Sequence, residues 1–100
     1  GRVEAIARTT PDLRIPHIGW NDLNFTGDCP LWRGLENDRA CYFAHGYHLV
    51  PEDDADVVAT TQYGQDLTAM VARGQIYGLQ AHPEKSQDVG LQILRNFERL

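Results

Sequence analysis

The chain has 100 residues, enough for one domain, and a domain of this size buries about 60–70% of the surface its unfolded form exposes. Nine Lys and Arg against fourteen Asp and Glu give a net charge of -5 and a pI of ≈ 5.1, with no basic run, which argues against nucleic acid and anionic membrane as partners. No apolar stretch approaches the ~18 residues of a membrane span and the start of the chain has no signal-peptide pattern, so the expectation is a soluble, cytoplasmic protein.

Taken in chain order, Val3 to Ala7 is a short apolar run closed by the turn cluster Thr9-Thr10-Pro11-Asp12, and it reads as a strand. Leu13 to Trp20 is a second extended segment, in which Pro16 cannot donate to a ladder and marks a sheet edge or a strand entrance. Residues 21 to 40 are mostly loop, with a helical turn over Pro30 to Leu35 that makes Trp32 a packing residue beside Leu31 and Leu35. Ala40 to Val50, rich in Tyr and Phe, is expected as one central strand, followed by the solvated acidic turn of Glu52, Asp53, Asp54 and Asp56. Val57 to Tyr63 and Leu67 to Arg73 form a hairpin about Gly64-Gln65-Asp66, and Ile76 to Gln80 is a further strand. A single helix starts near Ser86, a plausible N-cap, with Val89, Ile93, Leu94 and Phe97 on the face that covers the sheet. The fold class is α+β, a mainly antiparallel or mixed sheet with a C-terminal helix, and no linker divides residues 1–100.

The segment with the most chemistry is His82-Pro83-Glu84. Side chains two apart in an extended stretch share a face, so Glu84 can reach and orient the His82 imidazole, which gives a base with its orienting acid. The bland alternative is a strand-to-helix turn in which Pro83 stops the strand and Glu84 caps the helix. His45 and His48 lie three apart, on opposite faces of a strand, and do not suggest a metal site. No cofactor is expected. Cys29 and Cys41 are expected to remain reduced thiols, a disulfide between them being the alternative. Trp20 is either a partner-contacting aromatic or a core plug.

Three segments together, Ile15-Pro16-His17-Ile18-Gly19-Trp20-Asn21, Tyr42-Phe43-Ala44-His45-Gly46-Tyr47 and Gly78 through Ser86, resemble the C-terminal half of the class I glutamine amidotransferases. Within that class the first segment is most similar to the glutaminase subunit of imidazole glycerol phosphate synthase, of the histidine pathway. The resemblance implies the second half of an α/β amidotransferase fold, a single partial domain without the N-terminal half that carries the cysteine elbow. It implies a reaction in which a cysteine thiolate attacks the side-chain amide of glutamine, with His82 as base and general acid and Glu84 as the orienting carboxylate. It further implies substrate contacts at His45, Gly46 and Tyr47, and a surface for the synthase (cyclase) subunit around Lys85, Trp20, Asn21 and His17. Two positions depart from the pattern: Gly46 stands where the family usually has serine, and Ala81 where an aromatic residue usually precedes the histidine. Neither Cys29, in Gly27-Asp28-Cys29-Pro30-Leu31, nor Cys41, within a strand, sits in a nucleophile elbow. The chain is therefore not expected to hydrolyse glutamine unaided. The alternative is a free-standing, non-catalytic binding or oligomerising module derived from that family. Exposed strand edges and an uncovered sheet face lead either reading to expect a homodimer or higher oligomer.

Overall fold

The computed structural model describes residues 1–26, 28–35 and 39–100. Its strands are β1 (Arg2–Ala5), β2 (His17–Asp22), β3 (Asn24–Phe25), β4 (Ala40–His45), β5 (Tyr47–Val50), β6 (Val57–Gln62), β7 (Asp66–Arg73) and β8 (Ile76–Leu79), and one helix follows, α1 (Gln87–Glu98). Every strand pair is antiparallel: β1 with β5, β2 with β4, and a four-stranded sheet in the order β3-β6-β7-β8. The α+β class expected from the pattern is the class observed.

The hairpin between β6 and β7 forms where Gly64 marks it, and Gly64 adopts φ +73°, a left-handed conformation that disfavours other residues. The long aromatic run behaves differently from expectation. Ala40 to Val50 is not one central strand, because the chain bends at Gly46, so that β4 pairs with β2 while β5 pairs with β1. The carbonyl of Gly46 accepts the Ile6 N–H, which holds the bend against the first strand's exit. A continuous apolar run gives no sign of a bend at which one strand passes between partners. The described residues between 21 and 26 are also less irregular than expected, since β2 runs on to Asp22 and Asn24–Phe25 pairs with Thr60 and Ala59 of β6.

The core lies where β4, β6 and β7 meet α1 and the 3-10 turn Pro30–Trp32, and it is built on Leu23, Leu31, Phe43, Met70, Val89 and Ile93. Trp32 stacks on Phe25, ring centroids 4.5 Å apart, as a packing residue does. Cys29 and Cys41 are both buried and form no disulfide.

Helix α1 begins one residue after Ser86, but its buried stripe is Val89, Gly90, Ile93 and Asn96. Leu94 and Phe97, expected to cover the sheet, are 44% and 57% exposed. Asn96 takes the inner place because its amide donates to the carbonyls of Leu31 and Arg33, anchoring the helix to the 3-10 turn. Gly90 has a separate reason to be small: a Cβ there would stand 1.8 Å from the carbonyl oxygen of Pro83. That close approach seats the helix directly under the His82-Pro83-Glu84 turn. Among the described residues no helix is long and apolar enough to cross a membrane.

Candidate active site

Pro83–Lys85 forms a 3-10 turn between β8 and α1, with Pro83 at its first position, where a missing N–H costs nothing. His82 precedes the turn in extended conformation and its Nδ1 lies 2.8 Å from Glu84 Oε1. A carboxylate only accepts, so Nδ1 carries the proton and Nε2 is left as the nitrogen for proton transfer. The Glu84 carboxyl is held below its usual range, first by a hydrogen bond from its own backbone N–H, then by His82 and Lys85.

The backbone of this turn is fixed to β4. The His82 N–H donates to the Tyr42 carbonyl at 2.9 Å. Ser86, 1% exposed, donates its hydroxyl to the His82 carbonyl at 2.6 Å and accepts the Tyr42 N–H at 2.9 Å. The expected helix cap is therefore absent, because the hydroxyl is committed to these two tertiary partners. Ser86 and Gly90 both position the turn, and the sequence alone signalled neither role: their partners are 44 residues away in one case and a bare backbone contact in the other.

Antiparallel register puts His17 opposite His45, Gly19 opposite Phe43 and Trp20 opposite Tyr42. Alternation then divides β2 between two faces. His17 points inward and is 2% exposed, sandwiched between the rings of Phe43 and Tyr63 at 4.8 and 4.1 Å. Expected at an exposed position, His17 is instead buried beside its register partner His45, which faces the core too. Asn21 shares that inner face and is half-buried, its Nδ2 donating to the Gln62 carbonyl.

Trp20 points outward and is 51% exposed, so it does not plug the core formed by these residues. Its ring meets Tyr42 edge-on at 6.0 Å, and the Lys85 ammonium lies 5.7 Å from the Tyr42 ring centroid, within cation–π range. Trp20, Tyr42 and Lys85 thus form one aromatic and cationic row on the outer surface. Tyr42 was given no role by sequence, though a tyrosine lying between the inward-facing Cys41 and Phe43 of one strand was the available signal.

His45 is buried and its Nδ1 donates to the Tyr47 carbonyl at 2.8 Å across the Gly46 bend. Its pKa is lowered chiefly by burial, with His48 and His82 adding to the shift. Gly46 is half-buried and Tyr47 is 62% exposed, so the bend presents its outer residue to solvent. No group of three metal-ligating side chains gathers among the described residues.

The turn thus holds an imidazole against a carboxylate, hydrogen-bonded to the strand that ends in the buried His45 and the Gly46 bend, an arrangement chemically able to orient a ring for proton transfer. The sequence profile of the class-I glutamine amidotransferases matches residues 2–99, and the chain belongs to that family. Within it, the chain is 54% identical to the imidazole glycerol phosphate synthase subunit HisH of Synechococcus sp. (strain JA-3-3Ab), over 97% of this chain and 45% of that protein. It is 48% identical to the subunit of the same name from Rhodospirillum rubrum, over 99% of this chain and 47% of the relative, and 50% identical to that of Natronomonas pharaonis, over 84% and 40%. The chain spans a little under half the length of these curated relatives.

Proposed function

We propose that this chain supplies the base and orienting acid of a glutaminase that releases ammonia from glutamine for histidine biosynthesis, as part of an imidazole glycerol phosphate synthase. The single observation that carries this reading is the 2.8 Å His82–Glu84 hydrogen bond on a turn locked to β4. A cysteine from outside these 100 residues acts as nucleophile. Its thiol gives a proton to His82 Nε2 and the thiolate adds to the glutamine amide carbon. The tetrahedral adduct then expels ammonia, to which His82 returns the proton, leaving a thioester that water hydrolyses to glutamate. Glu84 keeps Nδ1 protonated throughout and stabilises the imidazolium between the two transfers. Cys29 and Cys41, at 2% and 0% exposure, are out of reach of a substrate.

In this reading the Gly46 bend, with His45 and Tyr47, contacts the glutamine. The outer row of Trp20 and Lys85, joined by Tyr42, receives the synthase (cyclase) subunit, with Asn21 and His17 supporting it from behind. The whole of residues 1–100 acts as one partial domain in the cytoplasm. The domain is completed by a cysteine-bearing N-terminal half. Mixing the chain with such a half and the synthase partner is expected to give glutamate release that neither gives alone. Absence of release from folded, co-purifying components contradicts the proposal.

A second reading is favoured by one specific observation, the exposure of Leu94 at 44% and Phe97 at 57% beside Tyr77 of the edge strand β8. We infer that in isolation this surface is covered by a second copy, so that the chain alone is a homodimer or higher oligomer. If it is then a non-catalytic module, it does not capture the synthase subunit through Trp20 and Lys85 in a pull-down. Sedimentation as a well-folded monomer at tens of micromolar contradicts the self-association.

A further inference from the structure

The buried histidines make a chain of hydrogen bonds whose direction can be read from both ends. At one end His45 Nδ1 faces the Tyr47 carbonyl at 2.8 Å, and a carbonyl only accepts, so Nδ1 bears the proton. At the other end Asn21 is oriented without reference to any histidine: its Oδ1 accepts the Asp22 N–H at 2.8 Å and its Nδ2 donates to the Gln62 carbonyl at 2.8 Å. The second hydrogen of that Nδ2 then points at His17 Nε2, 3.2 Å away, which must accept. Between them His17 Nδ1 and His45 Nε2 lie 2.9 Å apart.

With both rings neutral, the two ends impose the same order. Asn21 Nδ2–H donates to His17 Nε2, His17 Nδ1–H to His45 Nε2, and His45 Nδ1–H to the Tyr47 carbonyl. A proton added to His45 Nε2 would drive His17 into the opposite tautomer and set its Nε2–H against the Asn21 amide. A proton added to His17 Nε2 would meet the same amide directly. The stack of Phe43 and Tyr63 on His17 removes water as a substitute partner.

We propose that Asn21, His17 and His45 form one directional hydrogen-bond chain with both imidazoles in the Nδ1–H tautomer, and that His17 and Asn21 are positioning residues for the Gly46–Tyr47 bend. The chain links β2, whose outer face carries Trp20, to the bend across 28 residues of sequence. Both tautomers are the reverse of the Nε2–H form that free neutral histidine favours, so each is maintained by its partners. The groups facing the pair agree with neutrality: His45 faces His17, with His48 and His82 adding unfavourable charge at His45, and burial lowers both pKa values. The hydrogen-bond order stands without any function for the bend. Its positioning role for substrate rests on the glutaminase reading above.

The test is nitrogen-resolved NMR of the chain labelled at histidine with 15N, at neutral pH. His17 and His45 are each expected to show a protonated Nδ1 and an unprotonated Nε2. An Nε2–H tautomer at either residue overturns the order. His17→Phe, which keeps the ring stack and removes the donor, is expected to shift the Gly46 and Tyr47 amide resonances, and unchanged resonances overturn the positioning role. Asn21→Asp, which replaces the amide donor by a carboxylate, is expected to raise the His17 titration by about one to three pH units while His45 keeps its tautomer. A His17 titration that stays put contradicts the assigned contact. In the complemented glutaminase, His17→Phe is expected to raise KM for glutamine about five-fold with kcat nearly unchanged. An unchanged KM beside confirmed tautomers removes the substrate role alone, whereas no glutamate release from the unaltered assembly removes the glutaminase reading and leaves the tautomers standing.

Discussion

The molecule holds two histidine pairings that use one side chain for opposite ends. His82 meets a carboxylate at 2.8 Å on a surface turn, with its side chain 39% exposed, so a positive charge on the ring is matched by a negative one. His17 meets a second imidazole and an amide, at 2% exposure, where the Asn21 amide donates to Nε2 and so requires the neutral ring. Identity of the partner, more than identity of the residue, decides whether an imidazole can carry a proton in transit or must never take one. The first arrangement suits proton transfer and the second suits holding a bend in place.

Acid should expose this contrast most strongly as stability. The His17 pKa is lowered from 6.5 to about 4, first by burial and then by His45. A group whose folded pKa is depressed contributes stability that is full above the unfolded value and is lost as pH falls through the folded one. The chain should therefore lose about 3 kcal/mol between pH 6.5 and 4, by urea unfolding followed across that range. His17→Phe should flatten most of the slope, and an unaltered slope would mean that other groups set it.

Gly90→Ala attacks the other pairing from beneath. A methyl group 1.8 Å from the Pro83 carbonyl oxygen forces α1 away from the turn, at about 2 kcal/mol by thermal or urea unfolding, because the contact is with backbone that cannot rotate aside. Ser86→Ala should cost somewhat less, about 1.5 kcal/mol, by leaving the Tyr42 N–H without its acceptor. Each of these substitutions should also disturb the His82 ring resonances more than those of His17, since both act on the turn and neither touches β2. Equal disturbance at the two sites would show that the pairings are not independent. The smallest effect is expected from Lys85→Met in the isolated chain, where loss of the ammonium over Tyr42 should shift stability by about 0.5 kcal/mol while weakening capture of the synthase subunit in a pull-down.

The same contrast explains what could be read from the sequence. His82 and Glu84 are two residues apart, so local geometry alone brings them together, and the proline between them advertises the turn. The β6–β7 hairpin was legible for the same reason, with Gly64 supplying the local signal. His17 and His45 meet only through strand register, across 28 residues, and no local pattern announces that both face inward. His17 accordingly lies inside where an exposed position was expected, while Trp20 on the same strand faces outward. Ser86 carried the signature of a helix cap, and tertiary partners took its hydroxyl instead. The helix face was misread at Leu94 and Phe97 because their apolar character matches a buried stripe, while Asn96 enters the interior on two hydrogen bonds that no hydropathy pattern records.

In the proposed reading, His82, oriented by Glu84, is the proton carrier of a glutaminase completed by a cysteine from elsewhere. Its most direct test is glutamate release by the chain, its cysteine-bearing complement and the synthase subunit, measured with His82 and with His82→Asn at equal assembly. His82→Asn is expected to lower kcat by about 100-fold or more with assembly intact. Release at an undiminished rate from the His82→Asn assembly would contradict it.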